Sequence, residues 1–282
     1  MIELAGRAAL VTGGAGTLGR ALAQVLIEHG MRVAIADISE ERLALAAHML
    51  GSPPGLILQL LDVTDPASWR RATDAAETRI GPIALLCNNA GIAGARAPML
   101  DLTVERWRDM LDVGLTGIFL GIREIAPRMI ARREGHILNS ASLGGLLAQK
   151  DHGDYCAAKA GVIRLSEVLR TEVAAHGVGV SILCPGAIGH PVGHVPTETD
   201  PPAAEGRMDP VLGIRVALNA MLNGEFYLFT HSEARAPIAR HAERVLAAFD
   251  RLDETPSLNP SQHIFASSPA GTSAGGEQRS PA

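Results

Sequence analysis

Short runs of apolar residues recur along the first 230 positions of the chain, and longer mixed stretches separate them. Continuous apolar runs of this kind are typical of strands buried on both faces, whereas strict alternation of polar and apolar residues is typical of strands with one solvated face. The runs predict seven strands, at residues 7–12, 32–37, 56–61, 83–87, 136–140, 178–184 and 226–229.

Amphipathic stretches with helical spacing lie between these strands, notably at residues 20–29, 104–133 and 155–175. Strands that alternate with helices form right-handed βαβ units. The sequence therefore predicts the α/β class, with a Rossmann-like doubly wound three-layer fold around a mostly parallel seven-stranded sheet. We expect one domain over residues 1–255. Residues 256–282 are rich in Pro, Ser and Gly, which predicts a flexible C-terminal tail.

Composition excludes several classes of protein. The 282 residues are 47% hydrophobic, which suffices for a large buried core, and the net charge is −5 without any basic run. We therefore expect no nucleic-acid partner. No apolar run is long enough to span a membrane, so no membrane partner is expected. Cys87, Cys156 and Cys184 have no metal-ligand spacing and form no even set, which predicts free thiols and a cytoplasmic location.

A glycine-rich segment, residues 12–19, joins the first predicted strand to the first predicted helix. Glycines in this position permit a tight turn and let backbone N–H groups approach a phosphate at the helix N-terminus. The segment predicts contacts to a dinucleotide from Thr12, Gly13, Thr17, Leu18 and Gly19.

Asp37 ends the second predicted strand. A carboxylate there can accept hydrogen bonds from both adenosine ribose hydroxyls, and its charge repels a 2′-phosphate, which favours NAD over NADP. A turn or helix-capping role is the alternative, because Ser39 and two glutamates follow. The cofactor role is favoured because no arginine or lysine lies at position 38 or in the glycine segment.

Two further strand ends complete the predicted cofactor pocket. Asp62 and Val63 follow the third strand, where a carboxylate can meet the adenine amino edge. Asn89, Ala90 and Gly91 follow the fourth strand, and their small side chains leave room for the adenosine ribose. Each of these two segments could be a simple turn, but ligands bind at the carboxyl ends of the strands in parallel sheets.

Tyr155 and Lys159 are four residues apart in a predicted helix, with Ser142 thirteen positions upstream of the tyrosine. This spacing places the phenol and the ammonium on one face of the helix. A neighbouring cation favours the phenolate, so we expect Lys159 to lower the pKa of Tyr155 and make it a base. The three residues can exchange a proton with an alcohol while the serine hydroxyl holds the same oxygen.

These motifs, in this order, resemble the short-chain dehydrogenase/reductase family. The resemblance also includes Pro185-Gly186 and spans roughly residues 5–190, with 227–230 as the last strand. It implies NAD-dependent interconversion of a secondary alcohol and a ketone, with Ser142, Tyr155 and Lys159 as catalytic residues. It further implies that Tyr155 and Lys159 also contact the cofactor.

The resemblance assigns further roles. Pro185, Gly186 and Ile188 would wrap the nicotinamide, and residues 187–212 would form a substrate loop. It also implies a homodimer or homotetramer built on the helices at 104–133 and 155–175. From the motifs we expect a small-molecule substrate that is small or cyclic and largely apolar.

Three positions depart from the family pattern. Gly114 replaces an asparagine whose side chain fixes a local helix distortion, Thr17 replaces the middle glycine of the phosphate loop, and His190 stands where a threonine often contacts the carboxamide. These departures leave an alternative open, a catalytically impaired NAD(H)-binding regulatory or sensor protein of the same fold.

Several polar residues are candidate substrate contacts, although a solvated loop is an equal alternative for them. They are Lys150, Asp151, His152, Asp154, His190 and His194. His190 and His194 were also considered as metal ligands. We expect no metal, because Pro191 and Gly193 argue against a helix that would bring the two imidazoles together, and no third ligand is close in sequence.

Overall fold

The structure is a computed structural model that describes residues 3–192, 194, 197, 199–201 and 203–253. The predicted tail at 256–282 lies outside these residues. Residues 1–238 form one compact unit, and residues 239–282 belong to a second.

The first unit contains one seven-stranded sheet in which every neighbouring pair of strands is parallel. The strand order is β3-β2-β1-β4-β5-β6-β7. Every predicted strand is present with bounds within one residue of the prediction. The strands are β1 (Ala8–Thr12), β2 (Arg32–Asp37), β3 (Leu56–Leu60), β4 (Ile83–Asn88), β5 (Gly135–Ser140), β6 (Val178–Cys184) and β7 (Tyr227–Phe229).

The inner strands are buried on both faces, which explains their continuous apolar runs, whereas the edge strands β3 and β7 alternate between buried and more exposed residues. Successive side chains of a strand point to opposite faces. Leu10 accordingly lies in one hydrophobic cluster with Trp69 and Ile125, whereas Val11 lies in a second cluster with Leu26 and Leu218. A helical layer covers each cluster, so the predicted three-layer arrangement is confirmed.

Eight α-helices connect or follow these strands in the described part of the chain. They are α1 (Thr17–Glu28), α2 (Glu40–Met49), α3 (Pro66–Ile80), α4 (Val104–Leu111), α5 (Gly117–Arg132), α6 (Gly153–Val173), α7 (Pro210–Leu222) and α8 (Arg235–Asp253). Helix starts follow local chemistry: Asp65 caps α3 and Asp209 caps α7, each directly before a proline at the first helical position. None of the described helices is long and apolar enough to cross a bilayer.

The helix predicted at 104–133 is interrupted. A π-helical turn, Asp112–Thr116, separates α4 from α5. Such a turn inserts one extra residue and rotates the following helix relative to the preceding one. Its middle residue, Gly114, is buried, and a β-carbon there would lie 3.4 Å from Met110 Sδ and 3.6 Å from Ala158 Cβ. The distortion therefore forms without the asparagine side chain of the family pattern.

Candidate active site

The predicted site residues lie at or just after the carboxyl ends of strands β1 to β6, and on α6, with the loops after β1 and β4 at the centre. The chain runs outward from β1 through β2 to β3 and then returns to β4 on the other side of β1. Strand order reverses at this point, which opens a crevice between the loops that follow β1 and β4. In open α/β sheets, ligands bind in such a crevice.

The glycine segment is shaped for close backbone approach. Gly13 has a φ of +61°, and a β-carbon there would lie 2.8 Å from Ala90 Cα. A β-carbon on Gly19 would lie only 2.1 Å from the carbonyl oxygen of Gly13. Helix α1 begins at Thr17 after Gly16, whose position provides no side-chain cap. The first N–H groups of α1 and the narrow cradle of Gly13 and Gly19 fit a pyrophosphate group.

Thr12 joins the glycine segment to the loop after β4. Its Oγ1 accepts hydrogen bonds from the backbone N–H groups of Asn89 (2.9 Å) and Ala90 (3.0 Å). The Asn89 amide returns a hydrogen bond to the Thr12 carbonyl at 3.1 Å. One hydrogen-bond network thus joins Thr12, Asn89 and Ala90, which the sequence predicted as cofactor contacts from the ends of two different strands.

Asp37 is buried at the end of β2, with 7% of its surface exposed. Arg42 Nη1 lies 3.9 Å from Asp37 Oδ1, and Arg42 Nε is buried without a hydrogen-bond partner. In sequence, Arg42 lies five residues beyond Asp37. The first turn of α2, capped by Ser39, brings it back beside the carboxylate.

Asp62 and Val63 lie after β3, but one carboxylate oxygen of Asp62 is already engaged. Asp62 Oδ1 accepts hydrogen bonds from Thr64 N at 2.9 Å and from Thr64 Oγ1 at 2.7 Å, the pattern of a local Asx turn. Val63 packs against Gly117 at the start of α5, where a β-carbon would lie 2.9 Å from Val63 Cγ2. The predicted adenine contact of Asp62 remains a prediction.

Ser142 and Tyr155 meet beside Gly144. A β-carbon on Gly144 would lie 3.3 Å from Tyr155 Cε1 and 3.5 Å from Ser142 Oγ, so the phenol ring and the hydroxyl border the same point. Ser142 follows β5, and its Oγ accepts a hydrogen bond from Gly144 N at 3.0 Å. The serine side chain is buried and oriented by the short turn that it begins.

Lys159 lies one turn along α6 from Tyr155 and is buried. Its Nζ donates to the Ser140 carbonyl at 2.8 Å and lies 5.8 Å from the centroid of the Tyr155 ring. A β-carbon on Gly91 would lie 3.9 Å from the same Nζ. The ammonium therefore lies between the Tyr155 phenol and the loop after β4.

The expected effect of Lys159 on Tyr155 is not found. Burial raises the pKa of Tyr155, and the neighbouring Ser142 hydroxyl and Arg207 guanidinium oppose that rise only in part. Burial also lowers the pKa of Lys159 to about 8. The net shift of the Tyr155 pKa is therefore upward, opposite to the predicted lowering, because desolvation disfavours the charged form of both groups.

Asp154 is fully buried, so the prediction that it faces substrate or solvent is wrong. Its Oδ1 accepts from Tyr155 N at 2.7 Å, and its Oδ2 accepts from Ala95 N at 3.1 Å. Arg106 Nε lies 3.9 Å from Oδ2, and Arg106 also donates to the Ala93 carbonyl. The carboxylate ties the start of the catalytic helix to α4 and to the loop after β4.

A buried chain of polar side chains holds α6 against the sheet. Asn88 Nδ2 donates to Asn139 Oδ1 at 2.9 Å, and Asn139 Nδ2 donates to Ser166 Oγ at 2.9 Å. Ser166 Oγ donates in turn to the Val162 carbonyl at 2.7 Å. Buried polar groups of this kind have few alternative partners, which fixes the register of α6 relative to β4 and β5.

The segment after β6 returns to the site. The Pro185 carbonyl accepts from Leu143 N at 3.1 Å, next to Ser142, and Gly186 N donates to Thr230 Oγ1 at 3.3 Å. Ile188 is buried, and its carbonyl accepts a hydrogen bond from Arg207 at 3.0 Å.

Arg207 also donates to the Gly189 carbonyl at 2.8 Å, so one guanidinium holds the start of the substrate loop. Sequence reasoning missed Arg207 because nothing in its local context distinguishes it.

The comparisons with known proteins identify the class of protein. A family model described as short chain dehydrogenase matches residues 7–199. The chain belongs to the short-chain dehydrogenase family, and it is an oxidoreductase with the Rossmann-like fold of that family.

Two curated relatives and one solved structure illustrate the similarity. A 2,5-dichloro-2,5-cyclohexadiene-1,4-diol dehydrogenase of Sphingobium indicum is 36% identical over 191 residues, 67% of this chain and 76% of that protein. The D-threitol dehydrogenase of Mycolicibacterium smegmatis is 36% identical over 193 residues, 68% of this chain and 74% of that protein. A short-chain dehydrogenase/reductase from Burkholderia phymatum, solved in complex with NAD, is 28% identical with a TM-score of 0.78, covering 88% of this chain and 97% of that chain.

These findings confirm the predicted family, the predicted fold class and the predicted enzyme class, a dehydrogenase that acts on an alcohol with a small molecule as substrate. The NAD-bound neighbour agrees with the cofactor expected from Asp37.

Proposed function

We propose that this chain is an NAD-dependent dehydrogenase that interconverts a secondary alcohol and a ketone, with Ser142, Tyr155 and Lys159 as its catalytic residues. The observation that supports this most directly is the point beside Gly144 bordered by both Tyr155 and Ser142, with the Lys159 ammonium one helical turn away. An alcohol oxygen bound next to both the Ser142 hydroxyl and the Tyr155 phenol would meet a hydroxyl and a proton acceptor together.

Each side chain has a role in the proposed mechanism. Ser142 Oγ hydrogen-bonds the substrate oxygen and orients it toward the phenol. Tyr155 takes the hydroxyl proton in alcohol oxidation and returns it in ketone reduction. Lys159 would hold the nicotinamide ribose, and its positive charge, 5.8 Å from the centroid of the Tyr155 ring, would offset part of the cost of burying a phenolate. When bound, NAD supplies the hydride acceptor, so the protein contributes mainly position and proton transfer.

The cofactor assignment rests on the fit between NAD and the crevice. The Gly13 cradle and the uncapped start of α1 match a pyrophosphate, and the buried Asp37 carboxylate matches a ribose diol. A bound 2′-phosphate would face that carboxylate. The Arg42 guanidinium, 3.9 Å away, offsets part of this repulsion, so we expect a clear but finite preference for NAD.

The substrate is proposed to be a small or cyclic, largely apolar secondary alcohol. Two relatives are named for small alcohols, a ring diol and the acyclic polyol threitol, which supports the small or cyclic part of this proposal. Gly94 and Gly144 both lie against the Tyr155 side chain, with β-carbon positions 3.1 and 3.3 Å from its atoms. Glycine at both positions lets the backbone pack closely against the Tyr155 side chain.

A catalytically impaired NAD(H)-binding sensor is the alternative function, and it rests on Gly114, Thr17 and His190. The π-helical turn at Gly114 weakens that reading, because the backbone distortion is present without the asparagine. The named relatives are enzymes and give the sensor function no support. If turnover were absent in the natural protein, Gly114→Asn would be the informative gain-of-function variant.

We also propose a cytoplasmic homodimer or homotetramer built on α5 and α6. Phe119 on α5 and Val168 on α6 are exposed by 45% and 53%, and an oligomer would cover them. Gly161 of α6 packs instead against Leu115 of the same chain. Light scattering coupled to gel filtration would test the assembly, and Phe119→Lys is expected to weaken it.

The central test is NADH formation from a panel of cyclic secondary alcohols and diols, compared between the natural protein and Tyr155→Phe. We expect turnover to fall by about 10²–10⁴-fold, the usual contribution of a general base. Tyr227→Phe is the matched control, because it removes the only other tyrosine hydroxyl of the chain. NADH binding, followed by fluorescence, should be unchanged in both variants. Full activity in Tyr155→Phe would refute the proposed mechanism.

A further inference from the structure

Three side chains of the substrate loop converge in space. The His190 and His194 rings are stacked with their centroids 4.3 Å apart, and His194 Nε2 lies 2.7 Å from Asp200 Oδ2. One potential ligand atom from each of the three residues lies within 4.8 Å of the others. We propose that His190, His194 and Asp200 form a binding site for a divalent transition-metal ion. The proposal is independent of the proposed catalytic residues.

The structure supplies the third ligand that the local sequence lacked. Asp200 is six residues beyond His194, and the loop folds back to bring the carboxylate to the imidazole. Asp200 Oδ2 also accepts from Thr197 N at 2.8 Å, and this hydrogen bond holds the carboxylate in place. The expectation that His190 and His194 lie apart was therefore wrong, because a loop as well as a helix can bring two imidazoles together.

The hydrogen bonds of the cluster leave suitable lone pairs for a metal. His190 Nε2 lies 2.8 Å from the Pro201 carbonyl oxygen, an acceptor, so this nitrogen carries the proton and Nδ1 has a free lone pair. In metal-binding histidines, one ring nitrogen binds the metal and the other usually donates a hydrogen bond to an acceptor such as a backbone carbonyl. Between His194 and Asp200, a metal ion would take the place of the hydrogen bond that joins Nε2 to Oδ2.

The donor set selects the class of ion. Two imidazoles and one carboxylate suit zinc and its neighbours in the first transition series, whereas magnesium and calcium prefer oxygen ligands. Zinc bonds of about 2.0–2.2 Å to nitrogen and oxygen require the two imidazole rings to rotate out of their stacked arrangement, with an interplanar angle of 20°, so that one nitrogen of each points at the ion. Three protein ligands leave at least one coordination position for water.

One neighbouring charge opposes the ion. The Asp200 carboxylate acts on the buried Arg20 guanidinium, which places a cation close to the cluster. A site with one carboxylate and a nearby guanidinium is expected to bind more weakly than a structural zinc site with several thiolates.

A bound ion would fasten the loop where it meets the cofactor crevice. Gly189 precedes His190 and lies against Thr17 at the start of α1, where a β-carbon would be 2.5 Å from Thr17 Cγ2. Arg207 holds the Gly189 carbonyl from the other side at 2.8 Å. The ion would join the far part of the loop, at Asp200, to this fixed segment. We therefore assign it a structural role in ordering the loop.

The test uses the full chain without an affinity tag, treated with chelator and then titrated calorimetrically with ZnCl₂. We expect one zinc ion per chain, weaker binding at lower pH, and no saturable binding of MgCl₂. His194→Ala and Asp200→Asn should each weaken zinc binding at least tenfold. His176→Ala is the matched control, an exposed histidine distant in sequence from the loop, and should bind zinc as the natural protein does.

Hydrogen exchange provides a second readout that does not depend on enzymatic activity. Exchange of residues 187–208 should slow when zinc is added to the natural protein and should stay unchanged in Asp200→Asn. Circular dichroism of each variant shows whether it is folded, and His190→Ala replaces any variant that is not. Absence of saturable zinc binding would overturn the proposal. Equal zinc binding by His194→Ala and Asp200→Asn would also overturn it, since the ion would then lie elsewhere.

Discussion

Asp154 connects the catalytic helix to the loop beside the cofactor, and its replacement should affect both stability and turnover. Asp154→Ala would leave the backbone N–H groups of Tyr155 and Ala95 without their buried acceptor, and it would leave Arg106 without its carboxylate. Asp154→Asn retains the shape but offers only one acceptor oxygen, and its amide group would face an N–H donor.

The magnitude follows from the burial of the carboxylate. Hydrogen bonds to a charged group contribute about 1.5–3 kcal/mol each, and breaking a buried ion pair typically costs about 3–5 kcal/mol. Because Arg106 is partly exposed, we expect the free energy of unfolding to fall by about 3–4 kcal/mol in Asp154→Ala. Asp154→Asn should lose about 1–3 kcal/mol. A displacement of Tyr155 by about 1 Å would lower kcat by roughly 10²-fold.

Urea unfolding and steady-state kinetics measure the two effects. Asp151→Asn is the matched control, because it makes the same chemical change three residues upstream on a half-buried side chain, and it should change stability by no more than about 0.5 kcal/mol. NADH affinity should be nearly unchanged in Asp154→Asn while kcat falls. Stability and kcat equal to those of the natural protein in Asp154→Asn would refute the positioning argument.

Three further outcomes are expected. Asp37→Ala should reduce the preference for NAD over NADP by about tenfold or more, because the Arg42 guanidinium would then face a 2′-phosphate unopposed. Glu41→Ala makes the same change of charge at an exposed site, and it should leave the ratio of the initial rates with NAD and NADP unchanged. Burial lowers the pKa of His136 to about 4, so the unfolded chain binds a proton between pH 6.5 and 4 that the folded protein does not. The free energy of unfolding should therefore fall by up to about 3 kcal/mol as the pH is lowered from 6.5 to 4. His136→Gln should make the free energy of unfolding less dependent on pH over this range, as measured by urea titrations. Gly114→Ala should raise the unfolding free energy by about 0.5–1 kcal/mol, because its β-carbon meets only ordinary contacts; a loss would show that the π-helical turn requires glycine.

Local patterns determined much of this protein. Apolar runs of strand length predicted all seven strands, because the residues of strands buried on both faces of a parallel sheet are mostly apolar. Motifs carried by adjacent residues were equally readable: the glycine segment, Asp37 at a strand end, and Tyr155 one helical turn from Lys159. Their grouping followed from one rule, that the ends of parallel strands share an edge.

The tertiary structure alone decided the contacts between distant residues and the degree of burial. Asp154 and Asp151 look alike in sequence, yet only the first is enclosed, by Ala95 and Arg106 from elements some fifty residues away. The direction of the Tyr155 pKa shift depends on how much water the whole fold excludes, which no four-residue spacing records. Asp200 likewise reaches His194 only because the loop folds back on itself.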